Sequence, residues 1–264
     1  MPYVPTIKRR RLGAALRRQR EQAGYSTESA AAAVGWSQSK VSRVETAAIA
    51  VNPADVRTLL GRYGAPSGVV DDLLALAAEA QQPPAWLRQF KELRTDQFAG
   101  YLALEAEASR YSSYQSEVLP GLLQIEPYAR DVLAQDPLKV VPYEIDQAVR
   151  VRLARQARLS SQDPLQLDVV LDEGTLRRQA GSVNVMHAQL HHLVEMAQRP
   201  HIIVRVLPFD AGVHPASNGS FALLEFSDPD DPIIVCTDSL MSTTCREEPR
   251  EVSAYQLVLD RLRA

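Results

Sequence analysis

Apolar residues recur at helical spacing through the first quarter of the chain and gather into short strand-like runs only in its second half. From Lys8 to about Ala23, Leu12, Ala15, Leu16 and Ala23 fall on one helical side, with Arg9, Arg10, Arg17, Arg18 and Arg20 between them. Gly24 ends this helix. Ser26 is placed to cap a second helix from Glu28 to Val34, because its hydroxyl can accept from an unpaired amide of the first turn, and Gly35 stops it. Trp36 falls in the turn, and Ser37 caps a third helix from about Gln38 to Thr46. Val41 and Val44 share the inward side of that helix, which leaves Gln38, Ser39, Lys40, Ser42 and Arg43 facing outward or sideways. Asn52-Pro53-Ala54-Asp55 combines a cap, a first-turn proline and an acid three residues beyond the cap, so a fourth helix follows, with Val56, Leu59, Leu60 and Tyr63 as its buried stripe and Gly64 as its end.

Val69 to Ala80 reads as a further amphipathic helix that can lie against this bundle or lead out of it, and Pro83-Pro84 forbids its continuation. The expected domains are therefore 1–80, an all-α helix-turn-helix bundle with a linker helix, and 86–264. In the second, Phe98 to Tyr114, Pro127 to Ala134 and Tyr143 to Leu159 read as helices. Then come the strand candidate LQLDVVL from Leu165, a helix from about Asn184 to Ala197, the strand candidates HIIVRVLPF, SFALLEF and PIIVCTD, and a last helix from Arg250 to Leu262. The gaps between the last three strands are too short for crossover helices, which predicts an antiparallel meander. The expected fold class is multidomain, an all-α bundle followed by an α+β domain with a mostly antiparallel sheet and helices on one of its faces.

Composition sharpens this picture in two places. Hydrophobic residues make up 45% of the 264 and charged residues 23%, so the whole chain is expected to fold. No apolar run approaches the ~20 residues of a membrane span, and MPYVPTIKRRR has no apolar stretch behind its basic residues. A cytoplasmic protein that does not contact membrane is expected, with Cys236 and Cys245 as reduced thiols. The net charge of −3 conceals +7 over residues 1–64 and −10 over the rest. A compact basic module attracts a polyanion, and an acidic body discourages indiscriminate wrapping by it.

The outward chemistry of the third helix suits double-stranded DNA. Arginine reads guanine, glutamine reads adenine and serine reads either, on a helix thin enough for the major groove. Arg43 is the leading base reader among Gln38, Ser39, Lys40, Ser42 and Arg43. Lys40 is placed for a base or a phosphate, and Thr27 and Ser37, at helix starts, for the backbone. Leu16-Arg17-Arg18-Gln19-Arg20, Ala30-Ala31-Ala32-Ala33-Val34-Gly35 and Ser37-Gln38-Ser39-Lys40-Val41-Ser42-Arg43-Val44-Glu45 resemble the XRE or lambda-repressor-like helix-turn-helix family over roughly residues 8–64. That resemblance implies a structural ion pair between Arg20 and Glu45. Many relatives follow the glutamate with glycine and basic residues, whereas Thr46-Ala47-Ala48-Ile49-Ala50 stands here.

The second domain resembles the C-terminal domain of a large group of actinobacterial helix-turn-helix regulators. The resemblance runs through Leu104-Glu105, Val118-Leu119-Pro120-Gly121-Leu122-Leu123-Gln124, Arg155-Gln156, Val170-Leu171-Asp172-Glu173 and Gly219-Ser220-Phe221, among others. It implies regulation by a small-molecule effector or a small protein partner, and the regulator is expected to be a homodimer, with each third helix in one major groove. The alternative it implies is an antitoxin-like chain that neutralises that partner and regulates itself. Asp172, Glu173 and Arg177 are the candidate ligand or partner residues. His187 and His191 are four apart on a predicted helix, but no glutamate stands between them as it does in zinc hydrolases. Arg150, Arg152, Arg155 and Arg158 are candidates for an anionic ligand. Without a phosphate-cradling loop or a Gly-x-Ser-x-Gly elbow, no catalytic role, metal or cofactor is expected.

Overall fold

The computed structural model describes residues 5–82, 86–88, 90, 96–135, 142–239 and 242–264, and the chain forms two compact units, Met1–Ala85 and Trp86–Ala264. The Pro83-Pro84 break lies outside the described residues.

The first unit is five helices: α1 (Ile7–Gln22), α2 (Thr27–Val34), α3 (Gln38–Glu45), α4 (Pro53–Tyr63) and α5 (Ser67–Ala80). Their starts are fixed by side chains that satisfy amides the helices leave unpaired. Thr6, Ser26, Ser37 and Asn52 accept from Arg9, Ser29, Lys40 and Asp55 respectively. Gly35 and Gly64 close α2 and α4 in the left-handed conformation, which costs glycine nothing. The core joins Leu12 and Leu16 of α1 to Ala30, Val44, Val56, Leu59, Leu60, Leu73 and Ala77, so α5 packs on the bundle instead of leading away from it.

Two contacts set the angle at which α3 leaves this core. Gly13 of α1 lies under the C-terminal end of α3, where an added Cβ would stand 2.5 Å from the Glu45 carbonyl oxygen and 2.8 Å from that of Val44. Beside it, Arg20 Nε donates to Glu45 Oε1 at 2.6 Å and Nη2 to Oε2 at 2.9 Å, while Nη1 donates to the Tyr25 carbonyl at 2.7 Å. Both side chains are less than one-tenth exposed. The fork-to-fork hydrogen bonds with Glu45 push the Arg20 pKa above its ordinary value, against the burial that would lower it. Burial, followed by the Glu45 charge, pushes the neighbouring Tyr63 phenol up to about 12.

The second unit contains α6 (Asp96–Glu107), β1 (Arg110–Gln115), α7 (Glu126–Ala134), α8 (Pro142–Gln156), β2 (Gln166–Asp172), α9 (Glu173–Arg177), α10 (Val183–Ala197), β3 (Ile202–Leu207), β4 (Phe221–Glu225), β5 (Ile234–Asp238), β6 (Thr243–Arg246) and α11 (Pro249–Arg263). The sheet order is β3-β2-β1-β4-β5-β6. Strands β1, β2 and β3 run parallel, Tyr114 lying opposite Val170 and Val170 opposite Arg205, and the three remaining pairings are antiparallel.

The arrangement corrects the strand-level expectations. Helix does not reach Tyr114: it ends at Glu107, and Arg110–Gln115 becomes a central strand. Its middle residues Ser112 and Ser113 are buried yet polar, so no apolar signal marked them, and β2 and β4 complete its backbone hydrogen bonds from either side. HIIVRVLPF does not join a meander. The α9–α10 connection carries it back as a parallel edge strand beside β2, and β6, four residues long, takes the other edge.

Helices also cover both faces. Tyr114, Val170, Phe221, Leu223 and Val235 pack on Val252, Leu259 and Leu262 of α11. Tyr111, on the other face, lies against the buried Tyr101 and Glu105 of α6 and Arg155 of α8. Finally, Cys236 and Cys245 are not separate thiols. They face one another across β5 and β6 and are joined as a disulfide, a pairing that nine residues of spacing did not reveal until the hairpin register placed them opposite.

Gly13→Ala is expected to lower the melting temperature of the first unit. The ~1 kcal/mol gained from helix propensity is outweighed by a backbone clash, since overpacking costs about 1–3 kcal/mol. Arg20→Ala should cost about 3–5 kcal/mol in urea unfolding, because the Glu45 carboxylate then stays buried without its cation. The Tyr63 phenol ionises near 10 when unfolded and near 12 when folded, so the stability it contributes is complete below pH ~10 and lost as pH rises toward ~12. Thermal melts of Tyr63→Phe across that window should fall less steeply than those of the unaltered chain.

Candidate nucleic-acid interface

The turn between α2 and α3 is built from Gly35, Trp36 and Ser37, and it presents α3 with Val41 and Val44 inward. Ser37, Gln38, Ser39, Ser42 and Arg43 are exposed, while Thr27 and Lys40 are half-buried. Gln38, Ser39, Ser42 and Arg43 are therefore open to solvent on a helix eight residues long, with Ser37 at its cap.

The details differ from residue to residue. Gln38 Nε2 donates to Thr27 Oγ1 at 3.1 Å, which ties the start of the third helix to the start of the second. Ser37 spends its hydroxyl as a cap, accepting from the Lys40 amide. Lys40 folds back, with Nζ 3.5 Å from the centroid of the Trp36 ring and 3.4 Å from Asp55 Oδ2, so its charge is held within the turn. Arg43 is exposed, with Nε 3.4 Å from the Ser39 carbonyl of its own helix. Arg20 and Glu45 stand behind this surface, inside the bundle.

After Glu45 the chain turns at Ala47, which has φ +58° and is buried. This is the left-handed region, where a β-carbon costs ~1–2 kcal/mol and glycine costs little. The departure from glycine noted in the sequence therefore falls at a position whose backbone still takes a glycine-like conformation. Nothing in the residue types announced this, nor did they announce that Gly13 serves as the contact plate for α3.

The sequence-based candidates of the second unit are engaged with one another. Asp172 caps α9 by accepting from the Gly174 amide at 2.7 Å, and it also accepts from the Tyr114 hydroxyl at 3.3 Å. Glu173 accepts from Arg177 Nε at 2.6 Å and from the Phe209 amide at 2.8 Å, which hold its pKa below the usual carboxylate value. The arginines of α8 and beyond do not form an anion site. Arg155 is buried against Glu105, Arg152 donates to Gln124, and Arg158 donates to the carbonyls of Ala108 and Asp163, leaving Arg150 exposed. Burial, followed by the like charge of Arg155, brings the Arg152 guanidinium down to about 10. The His187 and His191 rings lie with centroids 4.4 Å apart, tilted at 58° to one another, and no group of three or more His, Cys, Asp or Glu suited to a metal ion occurs among the described residues. No helix of the described residues is long and apolar enough to cross a membrane.

Residues 11–74 match the model of a helix-turn-helix domain, which spans α1 to α4 and most of α5. Residues 98–264 match that of the domain of unknown function DUF5753. No curated protein and no solved structure gives a significant match to the chain. The match over most of its length places the chain in the DUF5753 family, with a helix-turn-helix DNA-binding domain ahead of the family domain.

Proposed function

We propose that this protein is a dimeric, sequence-specific regulator of transcription in the cytoplasm, with α3 as the helix that enters the major groove and the second unit as the part that sets its affinity for DNA. The observation that carries the reading is the exposed surface of α3. Gln38, Ser39, Ser42 and Arg43 are the groups on it able to reach base edges, on a helix whose opposite side is locked to the bundle by Val41, Val44 and the Arg20–Glu45 pair. The excess of +7 over residues 1–64 supports a polyanionic partner. Thr27 and Ser37, at the starts of α2 and α3, serve the phosphate backbone. Lys40 joins them when DNA draws it off the Trp36 ring.

A dimer places two such helices about one helical turn of DNA apart, and an effector or small protein bound to the second unit alters operator affinity by changing that spacing. The contact network of Asp172, Glu173 and Arg177 belongs to the internal order of the second unit in this reading.

The test is selection of bound duplexes from a randomised pool, followed by titration of the best site with Arg43→Ala. The variant should lose about 1–3 kcal/mol on that site and relax preference at one base pair, while affinity of the unaltered chain falls steeply with added salt. An unchanged base preference removes Arg43 from the reading role. Failure of the unaltered chain to prefer any duplex at low ionic strength removes the function.

A further inference from the structure

Where β1 and β5 end and β4 begins, the second unit opens into a cavity of about 1100 Å³ that none of the sequence-based site residues lines. One wall is the exposed and half-buried side of α11, with Ala254, Tyr255 and Val258, and Phe221 of β4 continues it, its ring 4.9 Å from that of Tyr255 and tilted against it. Opposite this apolar and aromatic wall stands Glu117, immediately beyond β1. Its Oε1 accepts from the Ser116 hydroxyl at 2.7 Å, its Oε2 accepts from the Ser220 hydroxyl, and Ser220 Oγ in turn accepts from the Ser116 amide at 2.9 Å. Gly219 has φ +117°, a conformation that side chains rarely adopt, and this bend delivers Ser220 to the carboxylate.

Among the described residues that line the cavity the charges have one sign. Glu117 and Asp238 line it, and no Lys, Arg or His occurs among its described lining residues. Arg178 meets Glu117 only at the backbone carbonyl, as a donor. Each oxygen of a carboxylate has two lone-pair sites, so one hydroxyl per oxygen leaves capacity facing the cavity. An anionic ligand would meet two carboxylates and no cation among the described lining residues. A cation would satisfy the remaining acceptor sites while its frame covers the aromatic wall. The volume is at the upper end of what small-molecule sites provide.

We propose that this cavity binds an organic cation, a small molecule carrying a protonated amine on an aromatic or apolar frame, with the ammonium on Glu117 and the frame against Phe221, Tyr255 and Val258. This names the chemistry of an effector for the second unit, and it rests on the proposed function only for its consequence at DNA.

Calorimetric titration of the full chain with naphthylethylamine and, separately, with naphthylpropionate tests the site. The amine should bind at least about tenfold more tightly than the acid of the same frame, the difference a charge-assisted hydrogen bond confers. Glu117→Gln should abolish that discrimination while the melting temperature stays put, and Ala254→Trp, a substitution on an exposed helix position, should intrude on the wall that Tyr255 and Val258 form and weaken binding of both. Equal affinity for acid and amine, absence of saturable amine binding, or undiminished discrimination in Glu117→Gln would each overturn the proposal. The duplex titration separates the two readings. Amine binding without any DNA preference leaves this site standing and removes the regulator, and DNA preference without amine binding does the reverse.

Discussion

The orientation of α3 depends on one buried ion pair. Arg20 reaches from α1 to Glu45 at the far end of α3 and its Nη1 donates to the carbonyl of Tyr25, so a single guanidinium fixes the second half of α1, the approach to α2 and the end of α3 together. Such a pair contributes less net stability than its short distances suggest, because both charges are taken out of water. Its value is directional. An apolar contact of the same area would tolerate rotation of α3 about its axis, whereas a two-pronged hydrogen bond does not. Gly13 completes the constraint by bringing the backbone of α3 down onto α1 with no side chain between.

The first unit was largely legible from sequence because its information is local. Caps at Ser26, Ser37 and Asn52 and left-handed stops at Gly35 and Gly64 are signalled by residue type within a few positions, and the apolar stripes follow helical period. What could not be read is what depends on distant approach. The role of Gly13 exists only where α3 crosses α1, and Lys40, read as placed for a base or a phosphate, is held by Trp36 and Asp55, which only the fold brings beside it.

The second unit shows the same limit more strongly. Strands β2, β4 and β5 carry short apolar runs that are buried, Val169 to Leu171 in β2, Phe221 to Leu224 in β4 and Ile234 to Cys236 in β5, but β1 places Ser112 and Ser113 at the middle of the sheet and leaves no pattern to follow. Its neighbours in space are more than fifty residues away in sequence on one side and about a hundred on the other. The position of HIIVRVLPF likewise depends on the helical connection before it and not on the short gap after it. The cavity at the ends of β1 and β5 draws its walls from five separate stretches of chain, so none of them alone has the look of a site.

Asp168, at the middle of β2, is buried and lies between Arg205 of β3 and Arg263 in the final turn of α11, whose Nη2 stands 2.9 Å from Asp168 Oδ2 and donates to Ser112 at 3.1 Å. A residue in the last turn of α11 thus helps neutralise the centre of the sheet. On the ribosome the first unit can close as soon as α5 has emerged, whereas the second must hold an incompletely matched carboxylate in its interior until the last turn of α11 has emerged. A nascent chain stalled before α11 would carry a finished DNA-binding module followed by an unsealed sheet, and a tag or truncation that disturbs the last turn acts on the middle of the molecule.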